Sequence, residues 1–121
     1  MALTPRARET FTRLFGVEPQ PHPTDPELFD ILQNGIFDEA FSTGVLTDVE
    51  RELLTITALT AMQTLPQLQA HVGAALRAGS SCQKVAAALV QVMPYIGGPY
   101  ALSGLVLVAR YDESASAEVY R

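Results

Sequence analysis

Residues that begin and end helices recur along this chain, and they limit its fold more than any other feature of the sequence. Thr4–Pro5 and Asp25–Pro26 each place a capping side chain before a proline, an arrangement typical of a helix N-terminus. Gly16 stands where a left-handed residue would end the helix that starts at Thr4–Pro5, and Gly44 stands where one would end the helix that starts at Asp25–Pro26. The pattern therefore predicts a first helix through Phe15 and, after a proline-rich linker, a second helix that ends at Gly44.

Capping boxes, in which Ser or Thr is followed three positions later by Glu or Gln, predict three further helix starts. They pair Thr47 with Glu50, Thr64 with Gln67, and Ser80 with Gln83. Pro94 is expected to stop the fifth helix, and a last helix is expected to begin at Gly98–Pro99 and to run to about Arg110. No segment alternates polar and apolar residues as a strand does, so the sequence predicts an all-α bundle of about six helices.

Two of the predicted helices are apolar on nearly every side. They cover residues 48–62 and 85–93, and Gln91 is the only polar residue of the second range. Such a helix is buried all round, either in a core or at a subunit contact. Because a chain of 121 residues buries only a modest core, we expect a homo-oligomer in which neighbouring copies help to shield these helices.

Composition argues against several classes of partner. The net charge is -5 and Lys84 is the only lysine, whereas nucleic-acid binding needs clustered Lys and Arg. No run of about 20 apolar residues and no apolar signal segment is present, so we expect no membrane contact and a cytoplasmic location. Cys82 is the single cysteine, which excludes an intrachain disulfide and a metal site built on several cysteines. Neither a metal nor a cofactor is expected.

Polar residues between Arg51 and Pro99 interrupt an otherwise apolar stretch and are the candidate functional residues. Glu52 and His71 are 19 positions apart, with a turn near Pro66 between them, so two successive helices can bring them into one cleft. An imidazole suits proton transfer near neutral pH, and a carboxylate beside it can fix its tautomer. The candidates are Arg51, Glu52, His71, Gln91, Tyr95, Gly97 and Pro99.

The charged and amide candidates also have structural interpretations. His71 lies among apolar residues and is compatible with a core histidine held by one hydrogen bond. Glu52 is compatible with a first-turn carboxylate favoured by the helix dipole, and Arg51 with a surface ion pair. Gln91, if buried, needs a hydrogen-bond partner, which another helix or a ligand can supply. The residue pattern leaves these alternatives open.

The segment from Arg51 to Pro99 reads RELLTITALTAMQTLPQLQAHVGAALRAGSSCQKVAAALVQVMPYIGGP. It resembles the core of the carboxymuconolactone decarboxylase family, whose relatives include the alkylhydroperoxidase D proteins. The resemblance covers roughly residues 25–110 and implies an alkylhydroperoxidase D-like helical domain at 25–112. An N-terminal helix and proline-rich linker at 1–24 precede this domain, and a polar tail at 113–121 follows it. The resemblance also implies a homotrimer or a homohexamer.

The resemblance also identifies what this chain lacks. In the alkylhydroperoxidase relatives, a CxxC dithiol precedes the histidine, and an upstream glutamate completes a relay. The glutamate matches Glu52 and the histidine matches His71, but Thr64 and Gln67 stand at the two cysteine positions. Peroxide reduction by a dithiol needs an attacking thiolate and a resolving thiol. Thiol peroxidase activity is therefore disfavoured, and Cys82, at the start of a different helix, is not expected to replace the missing pair.

The decarboxylase branch of the family implies a cofactor-free lyase that acts on a small, anionic, carboxylated lactone or a related ring acid. Under this resemblance His71 is the general acid, Glu52 is its partner, and Arg51 binds a carboxylate or the lactone oxygen. Tyr95 and Gln91 line the pocket, and the turn that contains Gly97 and Pro99 closes the same cleft. The alternative is a non-catalytic or uncharacterised oligomeric member that binds a small molecule.

Overall fold

The computed structural model describes the backbone from Ala2 to Val119 and the side chains up to Asp112. This part of the chain contains six α-helices and no strand, which confirms the predicted all-α fold. The helices are α1 (Pro5–Phe15), α2 (Pro26–Asn34), α3 (Asp48–Met62), α4 (Leu65–Arg77), α5 (Cys82–Ile96) and α6 (Gly98–Val119). They form two compact units, one up to Asp48 and one from Val49 onward. Within the described residues, no helix combines the length and hydrophobicity that a membrane span requires.

In the N-terminal unit, α1 has the predicted bounds. The Thr4 hydroxyl accepts the backbone N–H of Ala7 at 3.1 Å, and Gly16 closes the helix at φ +73°. Thr4 also ties the start of α1 to the helical segment after α2. Its backbone N–H donates to Asn34 Oδ1 at 2.9 Å, and its hydroxyl donates to Asp38 Oδ2 at 2.7 Å.

The second predicted helix does not remain α-helical up to Gly44. After α2, the chain continues as a π-helical turn at Gly35–Ala40 and a short 3-10 turn at Phe41–Thr43, and Gly44 then closes it at φ +76°. Phe37, in the π-helical turn, packs edge to face against the rings of Phe11 and Phe15 on α1. The predicted end point is confirmed, and the irregular turns give the segment a geometry that helical periodicity alone does not reveal.

Helices α3 to α6 form the second unit around one apolar core. The buried core residues are Ile56, Leu68, Val72, Ala75, Val85, Leu89, Leu107 and Val108. On α4 the core residues Leu68, Val72 and Ala75 are spaced by four and three positions, and Gly73 and Ala74 between them are buried as well. Gly104 lies where α6 closely approaches α3 and α5. A β-carbon at this position would lie 2.9 Å from Leu89 Cδ1 and 3.0 Å from Thr60 Cγ2.

The turn between α3 and α4 differs from the predicted capping box. Gln63 adopts a left-handed conformation at φ +57°, and the backbone N–H of Thr64 donates back to the Leu59 carbonyl at 3.1 Å. The Thr64 hydroxyl donates to the same carbonyl at 3.2 Å and does not cap α4. The Thr64–Gln67 capping box is therefore wrong, because the end of α3 uses the hydroxyl that was expected to start α4.

The next capping box is displaced by one residue. Gly79, at φ +111°, closes α4, and the backbone N–H of Ser80 donates to the Ala75 carbonyl at 2.9 Å. Ser81 then caps α5 by accepting the backbone N–H of Lys84 at 3.1 Å. Ser80 thus completes the C-terminal motif of α4 and cannot also begin α5, so the predicted box with Gln83 is wrong.

The last two helices both extend beyond their predicted C-terminal limits. Pro94 was expected to stop α5, but the helix continues for two residues to Ile96. The proline removes one backbone N–H, but the hydrogen bonds beyond it persist, since the Gly97 N–H donates to the Met93 carbonyl at 3.0 Å. Gly97, at φ +102°, ends α5 instead. Helix α6 begins at Gly98 as predicted and passes the expected end near Arg110 to reach Val119.

Candidate functional site

The turn between α3 and α4 brings Glu52 and His71 together. Glu52 lies in the second turn of α3, and His71 lies in the middle of α4. The distance between His71 Nδ1 and Glu52 Oε2 is 2.6 Å. An ionised carboxylate can only accept a hydrogen bond, so Nδ1–H of His71 donates to Glu52. Nε2 is then the nitrogen at which the ring can gain or release a proton.

Burial distinguishes this pair from an ordinary surface ion pair. The side chain of Glu52 is 1% exposed and that of His71 is 18% exposed. A buried carboxylate is costly unless it is hydrogen-bonded or paired, and His71 supplies that interaction. Ile56, one turn after Glu52, and Val72, next to His71, are fully buried core residues. The pair therefore lies at the edge of the apolar core, where the surroundings strengthen its hydrogen bond.

Arg51 is the neighbour of Glu52 on α3. It is half-buried, stands one position before Glu52, and its backbone carbonyl accepts the Thr55 hydroxyl at 2.9 Å. Neighbouring helical residues project about 100° apart around the axis, so the Arg51 and Glu52 side chains leave α3 in different directions. Arg51 is thus adjacent to Glu52 in the chain and lies on a different face of α3.

Gln91, Tyr95, Gly97 and Pro99 occupy a different environment in the single chain. All four are exposed, and Tyr95 has 82% of its surface accessible. The interpretation of Gln91 as an amide within an all-round buried helix does not hold in the single chain, because α5 turns Val85 and Leu89 inward. Gln91 follows Leu89 by two positions and so faces nearly the opposite side of α5. The structure thus joins Glu52 and His71, and it leaves these four candidates at the solvent-exposed surface of α5 and the start of α6.

Cys82 lies at the first residue of α5 and is half-buried. Burial raises the pKa of its thiol, and the negative charge of Asp112 raises it further. The thiolate is the nucleophilic form, so this environment weakens the thiol as a nucleophile at neutral pH. The geometry agrees with the expectation that Cys82 does not replace the dithiol. Among the described residues, no cluster of three His, Cys, Asp or Glu side chains has the geometry of a metal site.

Gln63 is a positioning residue that the sequence pattern did not single out. Its side-chain Nε2 donates to the Thr60 carbonyl at 2.6 Å and to the Tyr100 carbonyl at 3.1 Å. It thereby links the end of α3 to the first turn of α6, next to the turn that orients His71 towards Glu52. Nothing in the sequence marks such a residue, because the bond to Tyr100 joins positions 37 residues apart.

Comparison with known protein families gives a match that covers most of the chain. Among curated proteins, none matches this chain significantly. The model of the carboxymuconolactone decarboxylase family matches residues 26–110, a range that starts with α2 and ends within α6. The match includes the buried Glu52–His71 pair and every other candidate site residue. Since it covers well over half of the sequence, this chain belongs to the carboxymuconolactone decarboxylase family.

Proposed function

We propose that this chain is a cofactor-free lyase of the carboxymuconolactone decarboxylase type, with His71 as its proton donor. Its substrate is a small carboxylated lactone or a related ring acid. The observation that carries the proposal is the buried pair formed by Glu52 and His71, whose nitrogen and oxygen lie 2.6 Å apart. General acid catalysis requires a proton donor held in one orientation, and a buried carboxylate bonded to Nδ1 provides it.

The reaction needs few protein groups. The bond between the ring carbon and the carboxylate breaks, and CO2 leaves without the bonding electrons. The lactone carbonyl accepts that electron pair through the conjugated system, which gives a dienolate. Protonated His71 then donates its Nε2 proton to the carbon that carries the negative charge, and solvent restores the proton. Glu52 holds the ring in one orientation by accepting its Nδ1–H.

Arg51 supports the recognition of an anionic substrate. A guanidinium presents donors in a planar fork that matches a carboxylate, and it also stabilises negative charge on the lactone oxygen. The Glu52 carboxylate already accepts a hydrogen bond from His71. An anionic substrate would therefore meet less repulsion than it would from an unpaired carboxylate.

Exposed apolar residues support a homo-oligomer, which we propose to be a trimer or a hexamer. In the C-terminal unit, large apolar side chains with at least half of their surface exposed are Leu54, Met62, Val90, Tyr95, Tyr100 and Leu102. Apolar surface of this extent is typical of subunit contacts. In such an assembly, Gln91 and Tyr95 would become buried between copies and could line a closed pocket. Light scattering tests the assembly, and a monodisperse species of 13.1 kDa would contradict it.

The decisive experiment measures CO2 release from carboxymuconolactone and related lactones by the wild type, His71→Gln and His22→Gln. His22 is the matched control, because it is the other histidine of the chain and lies exposed in the linker before α2. We expect His71→Gln to lower turnover by about two to four orders of magnitude and His22→Gln to leave it unchanged. Equal rates for all three proteins would reject His71 as the proton donor.

The second candidate function is non-catalytic binding of a small molecule. It is favoured by the structural role that the Glu52–His71 pair also has, since a buried hydrogen bond links two helices whether or not it transfers protons. Absence of turnover by the wild type on every lactone tested, together with saturable binding of one of them, would support this function and reject the lyase.

A further inference from the structure

A cleft lies between α4 and α6, on the side of α4 that faces away from Glu52. Its lining residues are Gln69, Leu107, Arg110 and Tyr111, and its volume is about 270 Å³. Gln69 and His71 are two positions apart on α4, so their side chains project about 200° apart around the helix axis. The cleft is therefore separate from the buried acid–base pair.

Gly73 gives this cleft its shape. It lies one turn after Gln69, and a β-carbon at this position would be 3.1 Å from both Tyr111 Oη and Arg77 Nη1. In the space that a side chain would fill, the phenol of Tyr111 reaches α4 and donates to the Gln69 carbonyl at 2.8 Å. The hydrogen bond fixes the Tyr111 ring as one wall of the cleft. A phenol that donates its O–H can also accept a hydrogen bond at its oxygen.

The cleft is lined by an apolar residue, Leu107, and by a cation, Arg110, that makes no ion pair with the described residues. Leu107 is a core residue that is 8% exposed. Arg110 is exposed, and it is the only arginine with a described side chain that makes no hydrogen bond or ion pair within residues 2–112. The side-chain amide of Gln69 likewise makes no hydrogen bond within that range. A chain with a net charge of -5 has many carboxylates, yet none of those described pairs with Arg110.

We propose that this cleft binds a small carboxylate whose apolar part is a single ring. The guanidinium fork of Arg110 matches the two carboxylate oxygens, and the Gln69 amide can donate to one of them. Leu107 and the ring of Tyr111 cover the apolar part. Ligand pockets usually span about 300–1,000 Å³, so a cleft of about 270 Å³ is limited to a ligand of one ring. The proposal does not depend on the proposed reaction, because none of these residues takes part in it.

The probe for this site is benzoate, added to the full-length protein at low ionic strength and followed by calorimetry and by backbone amide chemical shifts. We expect saturable binding, with shift changes centred on Gln69–Gly73 and Leu107–Tyr111. Arg110→Gln should weaken binding at least about tenfold, because the ligand loses a charge-assisted pair. Added salt should weaken it as well, since Arg110 is exposed to solvent. Benzamide, which has the same ring and no charge, should bind more weakly than benzoate.

Three further variants complete the experiment. Lys84→Gln removes one positive charge from exposed α5, and it should bind benzoate as the wild type does. His71→Gln should also bind it unchanged, which separates this cleft from the proposed active site. Gln69→Leu removes the amide donor and keeps a side chain of similar size. It should weaken binding by less than Arg110→Gln does, because a neutral donor contributes less than a charged one.

Other outcomes would overturn the proposal. Equal benzoate affinity for Arg110→Gln and the wild type would show that Arg110 does not recognise the carboxylate. Shift changes confined to the amides around Glu52 and His71 would place the ligand in the other site. No saturable binding at millimolar benzoate would show that the cleft is not a carboxylate site, including the case in which another copy of the chain covers it.

Discussion

Glu52 and His71 are 19 residues apart in the chain, and 2.6 Å separates the Glu52 carboxylate from the His71 ring. The left-handed residue Gln63 ends α3 and lets α4 fold back along it. The same turn uses the Thr64 hydroxyl to complete the end of α3. The turn between the two helices therefore has a structural role in this chain, and it brings Glu52 and His71 together.

The first prediction concerns the stability that this pair provides. Glu52→Ala removes the buried carboxylate that accepts Nδ1–H of His71 and leaves a cavity, and we expect it to cost about 2–5 kcal/mol of unfolding free energy. Glu52→Gln keeps the shape and can still accept a hydrogen bond from His71, so its cost should be smaller, about 1–3 kcal/mol. Urea denaturation measures both values. The exposed Glu39→Gln is the matched control and should change stability by less than about 0.5 kcal/mol. A loss for Glu52→Ala no larger than for this control would show that the pair does not stabilise the fold.

The second prediction concerns the close approach of helices at Gly104. In Gly104→Ala, the new methyl group meets Leu89 Cδ1 at 2.9 Å and Thr60 Cγ2 at 3.0 Å, so the core must shift. Overpacking of this kind costs about 1–3 kcal/mol. Gly35→Ala is the control, because Gly35 has αR geometry and no atom lies within 4 Å of the new β-carbon. It should be neutral or slightly stabilising. Equal thermal midpoints for the two variants would contradict the packing at Gly104.

The third prediction separates two adjacent serines. Ser81 caps α5, so Ser81→Ala should cost about 1 kcal/mol. The Ser80 hydroxyl is buried and has no hydrogen-bond partner among the described residues, so Ser80→Ala should be neutral or stabilising. Chemical denaturation of the two variants measures the difference. The reverse order of stabilities would assign the cap to Ser80 and restore the capping box with Gln83.

The fourth prediction concerns the pH dependence of Cys82. Burial and the charge of Asp112 raise its pKa, so the thiolate fraction in the folded protein at neutral pH is lower than in the unfolded chain. Alkylation by iodoacetamide should therefore be slower in the native protein than in urea. The native rate should begin to rise only at a higher pH than the unfolded rate does. Mass spectrometry follows the reaction, and a native rate at pH 7 above the unfolded rate would reveal an activated thiol.

Interactions between near neighbours made much of this fold predictable. The start and end of α1 and the closure at Gly44 follow from a proline, glycines and a capping side chain that act within a few residues. The errors arose where two local motifs compete for the same residue. Thr64 and Ser80 each suit a helix start, but each completes the end of the preceding helix. The sequence pattern is compatible with the end of one helix and with the start of the next, and it does not indicate which motif the residue completes.

The sequence by itself determined that this chain is helical, that it lacks the dithiol, and that Glu52 and His71 fall on successive helices. Only the tertiary structure decided which polar residues meet. It buried Glu52 against His71 and left Gln91 and Tyr95 exposed in the single chain. It also formed the cleft beside Arg110, which no sequence motif predicts. The physical reason is that a helix start depends on neighbours in the chain, whereas the rotation and spacing of packed helices depend on side chains distant in sequence.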